Sequence, residues 1–281
     1  MSDVTDFRRS SAICEKPDGT SRDTPTTLFG PNRAQLSIDR LREFEPDDGY
    51  YVAFSGGKDS QVVLDLVRRS GVAYDAHYNW TTVDPPELAR FIRDEYPEVK
   101  WERPELSMWE LIVKKRFPPS RFRRYCCEYL KERGGQGRFV VTGVRWAESA
   151  RRAKRGLVES CRRDGTRRFL NPIIEWSDAD VWQYLNERGL PHCRLYDEGF
   201  RRLGCVMCPM QTFPQMKRDE GRWPKIALAY RRAINRAFDK AKADGLREGP
   251  GFSNGDQMYE WWLTGQKPDQ MQPENLFTFD N

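Results

Sequence analysis

A short apolar segment that runs directly into a glycine loop and then into an apolar helix most constrains how this chain folds. Residues 50–54 (YYVAF) are β-forming and apolar, residues 55–60 read SGGKDS, and apolar residues recur from Val62 to Val67. Two adjacent glycines permit the tight turn that a strand-to-helix connection needs. The pattern therefore predicts the first strand, loop and helix of a βα unit.

Strand-like and helix-like segments continue to alternate along the chain. Further strands are predicted where short β-rich apolar runs occur, over 73–79, 99–101 and 138–143. Helices are predicted over 33–44 and after capping residues that precede apolar periodic segments, at Asp84, Ser107 and Ser177. This alternation is typical of an α/β fold with a doubly wound, mostly parallel sheet.

Length and composition limit the classes of protein that remain possible. The 281 residues are 38% hydrophobic, and no apolar run approaches the roughly 18 residues that a membrane-spanning helix needs. Three segments are predicted: a polar, aperiodic arm over 1–30, a nucleotide-binding α/β domain over 31–210, and a helical C-terminal extension over 211–281. With two histidines, a histidine-rich metal site or a Ser-His-Asp triad has almost nothing to draw on.

The loop over Ser55, Gly56, Gly57, Lys58, Asp59 and Ser60 has the chemistry of an anion site. Free N–H groups and the positive dipole end of the following helix favour a phosphate, and the hydroxyls and Lys58 add donors and charge. Its glycine-to-lysine spacing is shorter than that of the Walker loop. A glycine turn that only joins strand to helix is the alternative, but the position between strand and helix favours phosphate binding.

Four of the seven cysteines form a pattern that is typical of a metal site. Cys126 and Cys127 are adjacent, and Cys205 and Cys208 form a C-x-x-C. Four thiolates suit either a tetrahedral zinc or a 4Fe–4S cluster, and an adjacent pair suits the separate iron corners of a cluster better. The alternatives are zinc and plain burial of small apolar thiols.

The cysteine count also bears on the compartment. An odd number of cysteines with a C-x-x-C indicates a reducing compartment, and residues 1–30 contain no signal-like apolar stretch. We therefore expect a cytoplasmic protein with no membrane contact. The remaining cysteines, Cys14, Cys161 and Cys193, receive no predicted role.

Positive charge is concentrated in one part of the chain. The net charge is only +5, but residues 114–168 hold 18 Lys and Arg against five Asp and Glu. This basic block therefore carries +13, and the rest of the chain carries −8. A solvated surface is one interpretation of such a block. The block carries more positive charge than binding of a nucleotide needs, and this excess favours a longer polyanion. The second interpretation is therefore a nucleic-acid-binding surface.

Three further motifs establish a resemblance to a known family. They are GVRWAESARR over 143–152, LNPIIEWSDADVW over 170–182, and LYDEGFRRLGC over 195–205. Together with the 55–60 loop, they resemble the phosphoadenosine-phosphosulfate (PAPS) reductase family of the PP-loop, adenine nucleotide α-hydrolase-like superfamily. The resemblance extends from about Tyr50 to about Met210.

The resemblance implies a set of functional residues and ligands. ATP with Mg²⁺ would bind at the 55–60 loop, with Lys58, Asp59 and Arg145 as catalytic residues. Arg145, Ser149 and Arg152 would hold the substrate. A 4Fe–4S cluster would have four ligands: Cys126, Cys127, Cys205 and Cys208. An adenine nucleotide is the expected small-molecule partner, and a protein that donates sulfur or electrons is a further one.

Two departures from the reductase pattern favour ATP chemistry. No cysteine or histidine follows Cys208, whereas sulfonucleotide reductases carry a nucleophilic cysteine near the C-terminus. The SGGKDS loop is complete, as it is in members that split ATP at the α-phosphate. The leading hypothesis is therefore an ATP pyrophosphatase that activates a substrate, possibly a nucleic acid, for sulfur transfer. A sulfonucleotide reductase that releases sulfite and a non-catalytic nucleotide- or nucleic-acid-binding module are the alternatives.

Overall fold

The computed structural model describes residues 32–161, 165–246 and 251–266. The predicted arm over 1–30, with Cys14, lies outside them, as do Arg162 and Arg163 of the basic block and parts of the C-terminal extension. The strands are β1 (Tyr50–Ala53), β2 (Tyr74–Asn79), β3 (Lys100–Glu102), β4 (Phe139–Val141), β5 (Val158–Ser160) and β6 (Arg168–Leu170). The helices are α1 (Arg33–Glu43), α2 (Lys58–Ser70), α3 (Pro86–Glu95), α4 (Met108–Lys115), α5 (Asp178–Glu187), α6 (Phe213–Arg222), α7 (Pro224–Ala243) and α8 (Gly255–Thr264).

The strands form one six-stranded sheet, which confirms the predicted doubly wound α/β fold. Their order is β3-β2-β1-β4-β6-β5, and every neighbouring pair is parallel except β5 and β6. The chain winds outward from β1 to β3 and then returns to place β4 on the other side of β1. Between the carboxyl ends of β1 and β4 lies the switch point, where sheets of this kind bind their ligands.

Two of the three predicted helix caps are confirmed. Ser107 begins α4 and Ser177 begins α5, each with a reciprocal capping box. The predicted cap at Asp84 is wrong, because α3 begins after Pro85 and the Asp84 carboxylate instead accepts a hydrogen bond from the Thr81 amide at 2.8 Å. A proline in the first turn has no N–H and leaves one donor fewer to cap.

The C-terminal helices pack on the sheet domain rather than apart from it. The rings of Trp109 in α4 and Tyr230 in α7 meet edge to face with centroids 5.0 Å apart, and Trp262 in α8 donates to the Pro119 carbonyl at 2.7 Å. One hydrophobic core runs through both parts. The sequence pattern missed α6, whose only fully buried apolar residue is Met216. In the described ranges, no helix has both the length and the apolar character to cross a bilayer.

Candidate functional site

The 55–60 loop connects β1 to α2 at the switch point of the sheet. Its first glycine, Gly56, adopts φ +69°, and a Cβ atom there would lie 2.7 Å from side-chain atoms of Leu88 and Ile92 in α3. A side chain is therefore excluded at this position both by backbone conformation and by packing. The Gln61 side chain adds a hydrogen bond to the Gly56 carbonyl at 3.0 Å.

Serine hydroxyls hold the rest of the loop in shape. Ser60 Oγ donates to the Gly57 carbonyl at 2.8 Å and accepts from the Ser55 amide at 3.2 Å. The irregular part of the 55–60 loop ends at Gly57. Its last three residues form the first turn of α2, which begins at Lys58 with no side-chain cap. The first turn of α2 thus presents its N–H groups at the switch point, where the helix dipole favours an anion.

Two cations and two carboxylates form a network beside the loop. Lys58 Nζ lies 3.3 Å from Asp59 and 3.2 Å from Asp178, the first residue of α5. Arg145 contacts the same two carboxylates, at 2.6 Å and 2.5 Å. Burial raises the pKa of Asp178, but the hydrogen bond from Arg145 and the charge of Lys58 outweigh this effect, and the net pKa lies below its ordinary value.

Arg145 faces this network with its side chain only 1% exposed. Its remaining guanidinium nitrogen donates to the Trp176 carbonyl at 3.0 Å. All three nitrogens of the guanidinium are thereby engaged with the protein. The arginine that the sequence assigned to substrate lies behind the loop, where it orients Asp59.

A cavity of about 200 Å³ opens in front of the loop. The carboxyl ends of β1 and β4 form its floor, and the lining residues come from four segments of the chain. They are Ala53, Ser55, Gly57, Lys58, Asp59, Ser60, Thr142, Gly143, Val144, Glu148, Arg152, Tyr196, Arg202 and Leu203. Of the residues expected in the site, Gly56, Arg145 and Ser149 are not in this lining.

The mouth of the cavity is cationic and is organised by one carboxylate. Glu148 forms ion pairs with Arg152 and, at 3.7 Å, with Arg202, and it accepts a hydrogen bond from the Arg145 amide at 3.1 Å. Ser149 is exposed, and its hydroxyl accepts from the Arg152 amide at 3.3 Å. Ser149 therefore shapes the turn that carries Arg152.

Several lining residues received no predicted role in the site, among them Glu148, Tyr196 and Arg202. These three belong to the motifs at 143–152 and 195–205, which carry the family resemblance. Tyr196 accepts a hydrogen bond from the Lys58 amide at 2.9 Å, across 138 residues of sequence. The motifs could have pointed to these three residues. They could not show which distant residues contact them in space.

The four patterned cysteines lie in one region of the fold. Cys126 precedes a π-helical turn that begins at Cys127, and Cys205 and Cys208 lie in the loop before α6. A hydrogen bond to Cys127 and burial raise the pKa of Cys126, and negative charge at Cys205 and Cys208 adds to the effect. The hydrogen bond from Cys126, with a smaller contribution from Arg124, lowers the pKa of Cys127.

These thiols fit a cluster in number and in donor chemistry. Zinc–sulfur bonds of about 2.3 Å would bring tetrahedral sulfur ligands to within about 4 Å of one another. Across residues 32–161, 165–246 and 251–266, no three Cys, His, Asp or Glu side chains are arranged to hold a metal ion. Four thiolates are also the usual donor set of an iron–sulfur cluster, and the assignment of this group to a cluster stays a prediction.

The remaining described cysteines are engaged elsewhere. Cys193 is 1% exposed, and burial raises its pKa. Cys161 accepts a long hydrogen bond from Arg167 at 3.7 Å. Neither residue lines the cavity.

Comparison with known proteins identifies the family of this chain. The family model of the phosphoadenosine phosphosulfate reductase domain matches residues 49–211, more than half of the chain. The chain belongs to this family. The matched range begins just before β1 and ends after the second cysteine pair, so that it includes both the cavity and the four cysteines.

Individual relatives of the PAPS reductase family show moderate identity. An uncharacterised protein of Methanocaldococcus jannaschii is 30% identical over 62% of this chain, and this chain spans only 39% of its length. The adenosine 5'-phosphosulfate reductase of Staphylococcus epidermidis is 27% identical over 64% of this chain and 77% of its own length. The solved phosphoadenylyl-sulfate reductase of Candida auris, in a phosphate complex, superposes with a TM-score of 0.48 at 20% identity, over 62% of this chain and 89% of that one.

Proposed function

We propose that this PAPS reductase family member binds ATP with Mg²⁺ at the 55–60 loop and cleaves it at the α-phosphate to activate an acceptor for sulfur transfer. The observation that carries the proposal is the complete SGGKDS loop, which opens α2 onto the cavity with Lys58 in its lining. Backbone N–H groups of the first turn and the Lys58 ammonium suit a departing pyrophosphate.

The chemistry assigns each lining group a role. An oxygen of the acceptor attacks the α-phosphorus, the bond between that phosphorus and the oxygen bridging to the β-phosphate breaks, and pyrophosphate leaves with its electron pair. The acceptor then carries AMP, which a sulfur nucleophile displaces. Lys58, Arg152 and Arg202 offset the negative charge on the phosphates, and Asp59, which Arg145 holds at 2.6 Å, would be the residue that holds Mg²⁺.

The proposal includes a 4Fe–4S cluster with four ligands, or zinc in its place: Cys126, Cys127, Cys205 and Cys208. When bound, the cluster would supply a site that binds or delivers a sulfur atom. A protein that donates sulfur or electrons is the corresponding partner. The four thiols lie near enough to one another that charge on Cys205 and Cys208 raises the pKa of Cys126, and this proximity supports this part of the proposal.

A nucleic acid is the acceptor that the charge distribution favours. Arg151 and Lys154 are exposed beside Arg152 at the cavity mouth, and Phe122 is 97% exposed between two arginines of the basic block. Cations bind the phosphate backbone, and an exposed aromatic ring can stack on a base.

A second candidate is reduction of a sulfonucleotide with release of sulfite. The similarity of this chain to the adenosine 5'-phosphosulfate reductase of Staphylococcus epidermidis favours it. Such a reaction needs a thiol that attacks the sulfur of the substrate. Among the described residues that line the cavity, none is a cysteine, so a thiol would have to come from elsewhere.

Pyrophosphate release tests the proposal. Anaerobically purified protein with ATP, Mg²⁺ and a mixture of DNA and tRNA is expected to release pyrophosphate. Lys58→Ala should lower the rate at least 100-fold, since it removes the loop cation. Lys240→Ala, which removes an exposed lysine on α7, is the matched control and should not change the rate. Sulfite release from adenosine phosphosulfate with a thioredoxin donor, without pyrophosphate release from ATP, would contradict the proposal and support the second candidate.

A further inference from the structure

The hydroxyl of Tyr196 lies at the N-terminus of α2, where an anion would be expected. It accepts the Lys58 amide hydrogen at 2.9 Å, and a Cβ atom on Gly57 would lie 3.5 Å from it. Lys58 is the first residue of α2, so its N–H is one of the four that have no partner within the helix. One of the anion-binding donors is thus already engaged by a neutral side chain.

The ring of Tyr196 is held in place from behind. It meets the ring of Trp182 in α5 edge to face with centroids 5.1 Å apart, and its own amide donates to the Cys193 carbonyl at 3.0 Å. Edge-to-face packing fixes the ring plane. The oxygen is therefore presented to the cavity at a defined place, and Tyr196 is one of the lining residues.

The proton of this hydroxyl has no protein acceptor within the described ranges. The oxygen accepts from Lys58, and a phenol keeps one O–H donor of its own. Burial raises the pKa of Tyr196 above its ordinary value, so the group stays protonated at neutral pH. The same lining contains the carboxylates of Asp59 and Glu148, but within the described ranges no hydrogen bond joins the Tyr196 hydroxyl to either of them.

We propose that Tyr196 is a phosphate-binding residue of the cavity, which accepts the Lys58 amide and donates its own proton to a phosphate oxygen of the bound nucleotide. The hydroxyl would thus form a hydrogen-bonded link from the first N–H group of α2 to the ligand. It would also add an uncharged donor beside the cationic side chains of the lining. This assignment rests on the phosphate site of the proposed function. It does not depend on which bond of the nucleotide is broken.

Binding of inorganic pyrophosphate to Tyr196→Phe, measured by isothermal titration calorimetry, tests the assignment. The variant keeps the ring and its contact with Trp182 but lacks the hydroxyl. Hydrogen bonds to charged groups are among the stronger ones, so the dissociation constant is expected to rise roughly tenfold. The midpoint of thermal unfolding is recorded on the same samples to show that the variant is folded.

Tyr184→Phe is the matched control. Tyr184 also contacts α2, through a 2.6 Å hydrogen bond to Asp65, but it does not line the cavity. Its loss should leave pyrophosphate affinity unchanged. Pyrophosphate affinity of Tyr196→Phe equal to or higher than that of wild type would overturn the assignment. The hydroxyl would then either not contact the phosphate or compete with it for the Lys58 amide.

The same titration separates this assignment from the proposed function. A wild-type protein that binds pyrophosphate but releases none from ATP would contradict the ATP chemistry, and the ratio of the two dissociation constants would still decide the role of Tyr196. A wild-type protein that binds no pyrophosphate would overturn both.

Discussion

At the scale of single residues, Arg145 shows how an ionic group can serve a site without facing its ligand. Its guanidinium joins Asp59 of the loop to Asp178 of α5, which lie 86 and 33 residues away in sequence. Arginine suits this role because its planar fork can satisfy two carboxylates and a carbonyl at once. The orientation of Asp59 depends on this contact.

Arg145→Met is expected to lower the free energy of unfolding by about 3 kcal/mol, because it removes the closer cation from Asp59, 2.6 Å away against 3.3 Å for Lys58, and leaves the Trp176 carbonyl without its donor. The loss should not be larger, since the Asp178 side chain is 73% exposed and can be solvated. Urea denaturation followed by tryptophan fluorescence measures the change.

Arg151→Met provides the comparison for this prediction. Arg151 is exposed in the same segment, and its replacement should change the free energy of unfolding by less than about 0.5 kcal/mol. Equal losses in the two variants would show that the ionic network does not stabilise the fold.

At the scale of elements, the shape of the 55–60 loop depends on how closely α3 packs against it. Leu88 and Ile92 lie on one face of α3 and cover Gly56, while Gly143 at the end of β4 approaches Asp59 from the opposite side of the loop. A Cβ on Gly143 would lie 3.0 Å from the Asp59 backbone. The loop is therefore enclosed between two elements that leave no room for side chains.

Gly56→Ala and Gly71→Ala separate the two costs of replacing a glycine. Both residues have positive φ, +69° and +76°, but a Cβ on Gly71 would meet nothing within 4 Å. Gly71→Ala is expected to lower the free energy of unfolding by about 1 kcal/mol through backbone strain alone. Gly56→Ala should lose about 1–3 kcal/mol more through overpacking against α3.

Thermal and urea unfolding of the two glycine variants check this difference. If Gly56→Ala lost no more stability than Gly71→Ala, α3 would have to move away from the loop easily. Gly56→Ala should also bind pyrophosphate more weakly than wild type, because any shift of the 55–60 loop displaces the N–H groups of that loop.

At the scale of the whole molecule, Glu87 connects the sheet domain to the helical extension. Its carboxylate in α3 accepts from the Trp223 indole at 3.0 Å and pairs with Arg222 at 2.9 Å and Arg194 at 3.5 Å. Burial raises the pKa of Glu87, but its own amide, the indole and the two arginines together hold the net pKa below the ordinary 4.5.

This lowered pKa predicts an acid-sensitive contact between the two parts. Glu87 binds its proton less readily when folded than when unfolded, so its ionised form stabilises the protein above about pH 5. Stability is lost as the pH falls through the folded pKa. Glu87→Gln should be about 1–2 kcal/mol less stable than wild type at pH 7, and this difference should shrink at lower pH.

Urea denaturation of both proteins between pH 7 and pH 3 measures this dependence. Glu187→Gln, at an exposed position on α5, serves as the control and should follow the wild-type curve. A difference between Glu87→Gln and wild type that stays constant with pH would show that the charge of Glu87 contributes nothing to the contact.

Local patterns account for what was predictable. Strand, loop and helix around residues 50–70 were predicted because glycine conformation and hydrophobic periodicity act between near neighbours, and so were the caps at Ser107 and Ser177. The same local logic was wrong at Asp84, where a contact with the Thr81 amide replaced the cap. It missed α6 because that helix buries little apolar surface.

The sequence by itself determined the α/β fold, the glycine loop between β1 and α2, and the family, because these depend on short motifs and their order along the chain. Only the tertiary structure decided that Arg145 lies behind the loop and that Tyr196 and Arg202 line the cavity in front of it. The physical reason is that a side chain's role depends on burial and on its charged neighbours. For Arg145 and Tyr196, those neighbours lie 33 to 138 residues away along the chain.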